Sequence, residues 1–507
     1  MTHAATPDLP DLPDLSGLIK AYDVRGVVPD PFSPEVARAI GAAFADVVVL
    51  PGASGPGRAT AVIGNDMRPS GPELVTAFAD GLTRRGVDVI LIGLCSTDGL
   101  YHASGALDLP GAMFTASHNP AEYNGIKMCH AGARPVGEDS GLAAVRTLAA
   151  RYLAEGLPAE VAVPGTTENR EMLAEYATFL RTLVDLGGIR PLKVVVDAGN
   201  GMAGLTVPAV LGTAAGLPEL PLDVVPLYFE LDGSFPNHEA NPLEPENLRD
   251  LQAAVVEHGA DIGLAFDGDA DRCFVVDELG AAVSPSAVTA LVGLREVARE
   301  LEAGRTPTVI HNLITSRVVP DLLGGAGATT VRTRVGHSFI KAEMAANDAV
   351  FGGEHSAHYY FRDFFFADTG MLAAMHVLAA LGASTTPDGR PVTMSALAEA
   401  YEPYAASGEI NSRVDDVPAA RARVVEAYVT QQGAGPVEVD ELDGLTVSHW
   451  DEHPRWWFNL RASNTEPLLR LNVEAADEDV MVKVRDDVLG LVRQGTMVAS
   501  TQPQEER

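Results

Sequence analysis

Residues 61–93 read AVIGNDMRPSGPELVTAFADGLTRRGVDVILIG: an apolar β-branched strand, a small polar loop, an amphipathic helix and a second apolar strand. The same layout begins again at 193–215, KVVVDAGNGMAGLTVPAVLGTAA, and at 308–336, TVIHNLITSRVVPDLLGGAGATTVRTRVG. Strands alternating with helices of roughly 10–15 residues predict crossover units, in which mixed or parallel sheets are covered by helices. The reading is three related α/β domains. In the first, Ser33-Pro34-Glu35 stands ahead of VARAIGAAFADVVV (36–49), with the hydroxyl as cap and proline at the first helical position.

After about residue 403 the rhythm changes. A strand is followed by the helical stretch 417–432, by strands that include WWFNLRAS (456–463) and LLRLNVEA (468–475), and by a last helix over 478–494. That order predicts a smaller C-terminal α+β domain with an antiparallel sheet. The expected divisions are 1–165, 166–283, 284–403 and 404–507.

Composition bounds the partners. Over 507 residues, 46% hydrophobic and 21% charged residues suffice for several ordinary cores, which excludes wholesale disorder. With 36 Lys plus Arg against 69 Asp plus Glu, the formal charge of -33 repels nucleic acid and anionic membranes, so an anionic substrate needs a locally basic pocket. Cys95, Cys129 and Cys273 lie far apart with no CxxC pair. That excludes a disulfide framework and a Cys-rich zinc site, and points to a reducing compartment, the cytoplasm. No stretch reaches the roughly 18 apolar residues of a spanning helix, and the N-terminus has no basic start followed by an apolar run. PDLPDLPDL (7–15) and TQPQEER (501–507) are expected to be extended.

The densest chemistry lies in FDGDADR, residues 266–272, at the end of the apolar strand DIGLAF. Asp267, Asp269 and Asp271 alternate, and three carboxylates gathered in one turn repel unless a hard cation such as Mg²⁺ sits among them. The competing reading is a solvated acidic loop. A calcium EF-hand is excluded, although Glu278 falls at the twelfth position: Arg272 occupies the sixth, where that loop needs Gly, and a strand precedes it. A phosphatase with Asp267 as nucleophile, as in the haloacid-dehalogenase-like DxDxT pattern, is weakened by Asp271 in place of Thr. Three aspartates leave coordination positions open for a substrate or phosphoryl oxygen, which favours catalytic over structural magnesium.

TASHNPAEYNGIK, residues 115–127, follows the apolar GAMF. Ser117 sits in a turn rich in Asn, Pro and Gly, with His118 and Lys127 near enough to manage protons or neutralise a phosphate. A serine hydroxyl is a weak nucleophile until a base activates it or it carries a transferable group. The alternative is an Asx-type turn in which Ser117 satisfies a backbone amide. RASNTEP (461–467) sets Arg461, Ser463, Asn464 and Thr465 around a tight turn, as a phosphate clamp or an ordinary polar hairpin turn. GGEHSAH (352–358) turns Glu354 and Ser356 toward one side, as in a loop that hydrogen-bonds vicinal hydroxyls or as a capping or structural carboxylate. Of five lysines in the chain, Lys20, Lys127 and Lys341 lie in or beside these loops, where a compact point charge is useful.

Taken in order, YDVRG (22–26), TASHNP, DGDADR, GEHSAH and RASNTEP resemble the N-terminal element and four signature loops of the α-D-phosphohexomutase superfamily. DAGNGMAG, DGSFPNHEANPLEPENL and RVGHSFIK look like its intervening segments, so the resemblance covers essentially the whole chain. NPAEYNGIK and GEHSAH look most like the bacterial phosphomannomutase/phosphoglucomutase group rather than the phosphoglucosamine enzymes.

The resemblance implies a four-domain, Mg²⁺-dependent enzyme interconverting hexose 1-phosphate and hexose 6-phosphate through a hexose 1,6-bisphosphate, which is also its activator. Mannose and glucose are the implied sugars. It implies a phosphoserine at Ser117, a metal held by Asp267, Asp269 and Asp271 with the Ser117 phosphoryl group, and Arg272 on phosphate or sugar. His118 and Lys127 match positions of proton transfer; Tyr22, Arg25 and His337 line the cleft. Glu354 and Ser356 bind sugar hydroxyls, and Arg461, Ser463, Asn464 and Thr465 grip the non-reacting phosphate. Because the bisphosphate turns end over end, a mobile fourth domain is expected. Two departures stand out: Ile314 where relatives carry lysine, for which Arg317 or Arg332 could substitute, and Ala357 where many carry glycine. Other classes weighed are the Asp267 phosphatase and a non-catalytic phosphosugar-binding protein. The expected partners are small hexose phosphates, with no nucleic acid and no membrane.

Overall fold

The computed structural model describes residues 12–20, 22–53, 57–431, 436–462 and 468–494. Residues 7–11 of the proline-rich tract, the tail 501–507, and Ser463, Asn464 and Thr465 lie outside the described residues.

The stretch 61–93 folds as read. The strand Thr60–Asn65 and the strand Asp88–Leu94 pair in parallel, Val62 beside Ile90, across the helix Gly71–Arg84. Leu74, Val75, Phe78 and Leu82 fall on one face of that helix and are buried, as a 3.6-residue period requires. The preceding helix, Pro34–Phe44, begins where Ser33 Oγ accepts from Val36 N at 3.3 Å. The two helices cross so closely that a Cβ on Gly41 would lie 2.2 Å from Phe78 O and one on Gly81 2.2 Å from Arg38 O. Glycine at both crossing points is what lets the backbones touch.

Three mixed sheets follow the same plan. In the first, parallel strands at the centre meet the antiparallel pair Gly111–Phe114 and Tyr123–His130. In the second, Leu192–Asp197, Leu222–Leu227 and Ile262–Phe266 are parallel, and Cys273–Asp277 returns antiparallel. The third repeats this with Thr308–Asn312, Thr329–Thr333 and Phe351–Gly353, then the antiparallel Tyr359–Phe361. The strand Thr167–Asn169 pairs with Asp88–Leu94, so the first sheet runs past residue 165. The C-terminal sheet is five-stranded and antiparallel throughout, and its core joins Val473 and Phe458 to Val424, Val484 and Val488 of two helices.

Three of the quoted loops are turns of antiparallel hairpins. Residues 115–122 join Gly111–Phe114 to Tyr123–His130, 267–272 join Ile262–Phe266 to Cys273–Asp277, and 354–358 join Phe351–Gly353 to Tyr359–Phe361. In these three the entering strand lies parallel to its neighbour, so the loop leaves from a carboxyl edge, where open α/β sheets present their sites. Residues 463–467 lie between Trp456–Ala462 and Leu468–Ala475.

The second and third domains share one apolar core, from Val194 and Leu264 to Val309 and Phe351. The first and fourth each have their own. No helix among the described residues is long and apolar enough to cross a membrane.

Candidate active site

Ser117 adopts φ +49°, in the left-handed region that a residue with a Cβ rarely visits. The surroundings hold it there. Its N–H donates to Thr115 Oγ1 at 2.8 Å. The guanidinium of Arg68, wholly buried, donates through Nη2 to Ser117 O (2.9 Å) and Asn119 O (2.6 Å), and through Nη1 to Pro120 O (2.7 Å) and Tyr123 O (2.9 Å). Arg25 adds Nη1 to Ala116 O at 3.1 Å and to Asn119 Oδ1 at 2.5 Å. Two arginines thus brace the serine turn through its backbone. Asp66 lies 3.3 Å from Arg68 Nε; burial pushes its carboxyl up to about 6, with Arg68 opposing the shift.

The aspartate loop, residues 267–272, packs directly beneath. A Cβ on Gly268 would lie 2.5 Å from Ser117 O, so only glycine admits this approach. Ser117 Oγ donates to Asp267 Oδ2 at 2.9 Å and lies 3.2 Å from His118 Nδ1. Asp267, Asp269 and Asp271 are buried, and an oxygen from each lies within 4.8 Å of the others. Lys127 Nζ sits between Asp269 Oδ2 (2.7 Å) and Asp271 Oδ2 (2.5 Å), and Arg272 Nε donates to Asp267 Oδ2 at 2.9 Å.

The electrostatics follow from burial against these cations. Burial pushes Asp267 up to about 7, with Arg272 opposing. At Asp269 the same burial is outweighed by Lys127 and the Thr97 hydroxyl, which hold the carboxyl far below its ordinary range. Burial would discharge Lys127, yet Asp269 and Asp271 hold it charged. Burial, then Arg272 and Arg25, pushes His118 well down, leaving a neutral imidazole. Asp269 Oδ1 and Asp271 Oδ1 are buried without a hydrogen-bond partner. Hard oxygen donors, unpaired and converging, suit a divalent cation of the magnesium type.

The third loop closes over this centre, with Arg272 and His358 forming an antiparallel bridge. Ser356 Oγ lies 3.0 Å from His358 Nδ1, and His358 Nε2 lies 3.7 Å from Asp271 Oδ1. Glu354 is buried, and both of its oxygens take protein donors: Tyr360 OH (2.5 Å) on Oε1, Asn312 Nδ2 (2.9 Å) and Gly336 N (3.3 Å) on Oε2. In this structure Glu354 braces the loop. Ala357 takes φ +65°, the conformation that glycine adopts more readily.

Tyr22 from the first domain packs edge-on to His337 from the third, ring centres 5.2 Å apart. Beside them opens a cleft of about 870 Å³ lined by Arg134, Arg334, Lys341, Arg461 and Arg470, together with Tyr22. These five cations outnumber the acidic Glu138, Asp139 and Asp443 of the same lining, a local excess of positive charge in an acidic protein. Lys341 links it to the aspartate loop, since Nζ also lies 2.6 Å from Asp368, which with His358 and Asp271 forms a second cluster of ligand-type atoms. Arg461 is placed at the cleft, 3.5 Å from Glu409 and 3.6 Å from Asp443. Arg317 pairs with Asp321 at 3.4 Å and Arg332 with Asp440; neither lines the cleft, while Ile314 lines a separate cavity of about 500 Å³.

Arg68, Thr97, His358 and Asp368 escaped the sequence reading. A second histidine in GEHSAH and an Asp-x-Arg inside a loop of small residues were the available signals for His358 and Arg68.

Known proteins share this architecture. Four descriptions of the phosphoglucomutase/phosphomannomutase family match in order: α/β/α domain I over residues 17–152, domain II over 174–280, domain III over 285–404 and the C-terminal domain over 409–491. Phosphohexose mutases of Xanthomonas campestris pv. campestris are 40% identical over 478 residues, 94% of this chain and 98% of theirs. A phosphomannomutase of Salmonella typhimurium is 37% identical over 471 residues, 93% and 97% of the two chains. The crystal structure of a phosphoglucomutase/phosphomannomutase family protein from Burkholderia thailandensis superposes with a TM-score of 0.80 at 31% identity, covering 95% of this chain and 99% of that one. With every domain matched in sequence order and relatives aligned along nearly their full length, the chain belongs to the phosphoglucomutase/phosphomannomutase family of the α-D-phosphohexomutase superfamily.

Proposed function

We propose that this cleft interconverts hexose 1-phosphate and hexose 6-phosphate of mannose and glucose, by way of a phosphoserine at Ser117 and a hexose 1,6-bisphosphate that also primes the enzyme. The observation that carries the reading is Ser117 Oγ, held 2.9 Å from Asp267 in a buried aspartate triad with unpaired oxygens.

The P–O bond at Ser117 breaks as a sugar hydroxyl oxygen bonds to phosphorus, and the hydroxyl proton is passed on so that Ser117 Oγ is left protonated. His118, 3.2 Å from that oxygen, is placed to hand the proton on. Asp267, Asp269 and Asp271 would hold Mg²⁺, which when bound neutralises charge on the phosphoryl oxygens. Lys127 and Arg272 add fixed positive charge at the same place, and Arg25 and Arg68 keep the serine turn in its uncommon conformation. Arg461, with Ser463, Asn464 and Thr465, binds the phosphate that does not react. Ser356, His337 and Tyr22 face the sugar, and Glu354 orders the loop that presents them. The domain divisions near 165, 283 and 403 place one loop on each domain. A cytoplasmic location suits the free thiols of Cys95, Cys129 and Cys273.

Asp267 is poorly placed as a phosphatase nucleophile, because Oδ2 already accepts from both Ser117 and Arg272. Intact-mass analysis after incubation with glucose 1,6-bisphosphate tests the reading. One added phosphoryl group that maps to Ser117 is expected; a phosphoryl group on aspartate, or none, would refute it.

A further inference from the structure

The turn Ser96-Thr97-Asp98 opens the helix Thr97–Leu107 and has no part in the chemistry above, yet all three residues are completely buried. Thr97 reaches out of the first domain into the aspartate loop. Its N–H donates to Asp269 O at 3.0 Å and its hydroxyl to Asp269 Oδ2 at 2.6 Å. With Lys127 Nζ on the same oxygen, these contacts fix the rotation of the carboxylate and leave Oδ1 buried without a hydrogen-bond partner.

Asp98 ties the turn to the other two α/β domains. It accepts from Ser96 Oγ, from Tyr176 OH at 2.6 Å and from Thr369 Oγ1 at 2.6 Å. Tyr176 belongs to the helix Leu173–Leu183, and Thr369 caps the helix Gly370–Ala383, where its hydroxyl also accepts from Leu372 N. One turn of helix therefore joins hydroxyls from three domains to one ligand of the aspartate triad.

We infer that Thr97 is the positioning residue of the aspartate loop, aiming the free oxygen of Asp269 at the cation, and that Asp98 keeps Thr97 in register through Tyr176 and Thr369. The inference rests on the reading of Asp267, Asp269 and Asp271 as a divalent-cation site. Removing the outer partner of a metal ligand typically weakens binding by roughly 10–100-fold, because the ligand must then be ordered by the metal itself.

The test is a titration of Mn²⁺ into the full-length protein, following the resonance of the free ion. Wild type, Thr97→Val, Thr97→Ser and Tyr176→Phe are compared at a temperature well below the unfolding of each. Thr97→Val keeps the shape and loses the hydroxyl, so its affinity falls by roughly 10-fold or more; Thr97→Ser stays close to wild type. Tyr176→Phe, which keeps the ring and loses only the hydroxyl that donates to Asp98, falls in between. Equal affinity in Thr97→Val and wild type, with only the melting temperature lowered, would overturn the inference while the cation site stands. Absence of Mn²⁺ uptake by the wild type would overturn both. Should Thr97→Val not fold, Tyr176→Phe decides, and an unchanged affinity there would overturn the role given to Asp98.

Discussion

The aspartate loop and the boundary between the third and fourth domains hold opposite charges together in different ways. Around Asp267, Asp269 and Asp271 the charges are buried, and groups from three domains meet them: Lys127 from the first, Arg272 from the loop itself, His358 from the third. At the boundary with the fourth domain an ion pair stands open to solvent: Arg332 of the third and Asp440 of the fourth keep 39% and 32% of their side chains exposed. Buried pairs are directional and fail badly when one partner is lost, whereas exposed pairs contribute little. The fourth domain also has a core of its own, while the second and third share one. The contrast teaches a division of labour: on the proposed reading, the phosphoryl-transfer centre rests on a buried cluster fed by three domains, while the domain assigned the far phosphate meets the third partly through a solvent-exposed pair, as a substrate held by either end requires.

Breaking the buried side gives the largest effect. Lys127→Met leaves Asp269 and Asp271 facing each other without their shared cation, and stability in EDTA should fall by about 3–5 kcal/mol in urea denaturation. Added Mg²⁺ should recover part of that loss; a variant as stable as wild type in EDTA would contradict the contrast.

A smaller effect separates a buried carboxylate met by cations from one met by hydroxyls. Burial pushes Asp98 up to about 6, against the opposing hydroxyls of Ser96, Thr369 and Tyr176. An acid raised above its unfolded value binds its proton more tightly when folded. Its contribution to stability is therefore full below about pH 4 and is lost as pH rises through about 6, at no more than about 1.4 kcal/mol per pH unit. Denaturation midpoints from pH 4 to 7 should fall more steeply for wild type than for Asp98→Asn, and parallel curves would refute the assignment.

The smallest effect lies at the exposed pair. Asp440→Asn should change stability by less than about 1 kcal/mol, yet alter the solution-scattering profile, because Arg332–Asp440 spans the third and fourth domains. An unchanged profile together with a large loss of stability would reverse the comparison.

The sequence carried the fold and the loops, because both are written in local patterns. The strand and helix periods of 61–93 reappear as Thr60–Asn65, Gly71–Arg84 and Asp88–Leu94, and the loops at 115–122, 267–272 and 354–358 are hairpin turns. What escaped acts over distance. Thr97 lies 172 residues from Asp269, Thr369 271 from Asp98, and Arg68 grips a turn 49 residues away through backbone carbonyls alone. No spacing rule reaches so far along the chain. Glu354 illustrates the complementary problem: its loop was legible, but that its oxygens face Tyr360, Asn312 and Gly336 depends on a fold around it.

The central claim is tested most directly by coupled turnover of mannose 1-phosphate and of glucose 1-phosphate, separately, by wild type and Ser117→Ala with Mg²⁺ and a trace of glucose 1,6-bisphosphate. The account predicts the 6-phosphates from wild type and their loss in the serine variant, with the ratio of the two kcat/KM values ranking the sugars. Release of free phosphate with Ser117 dispensable, or no turnover of either sugar, would contradict it.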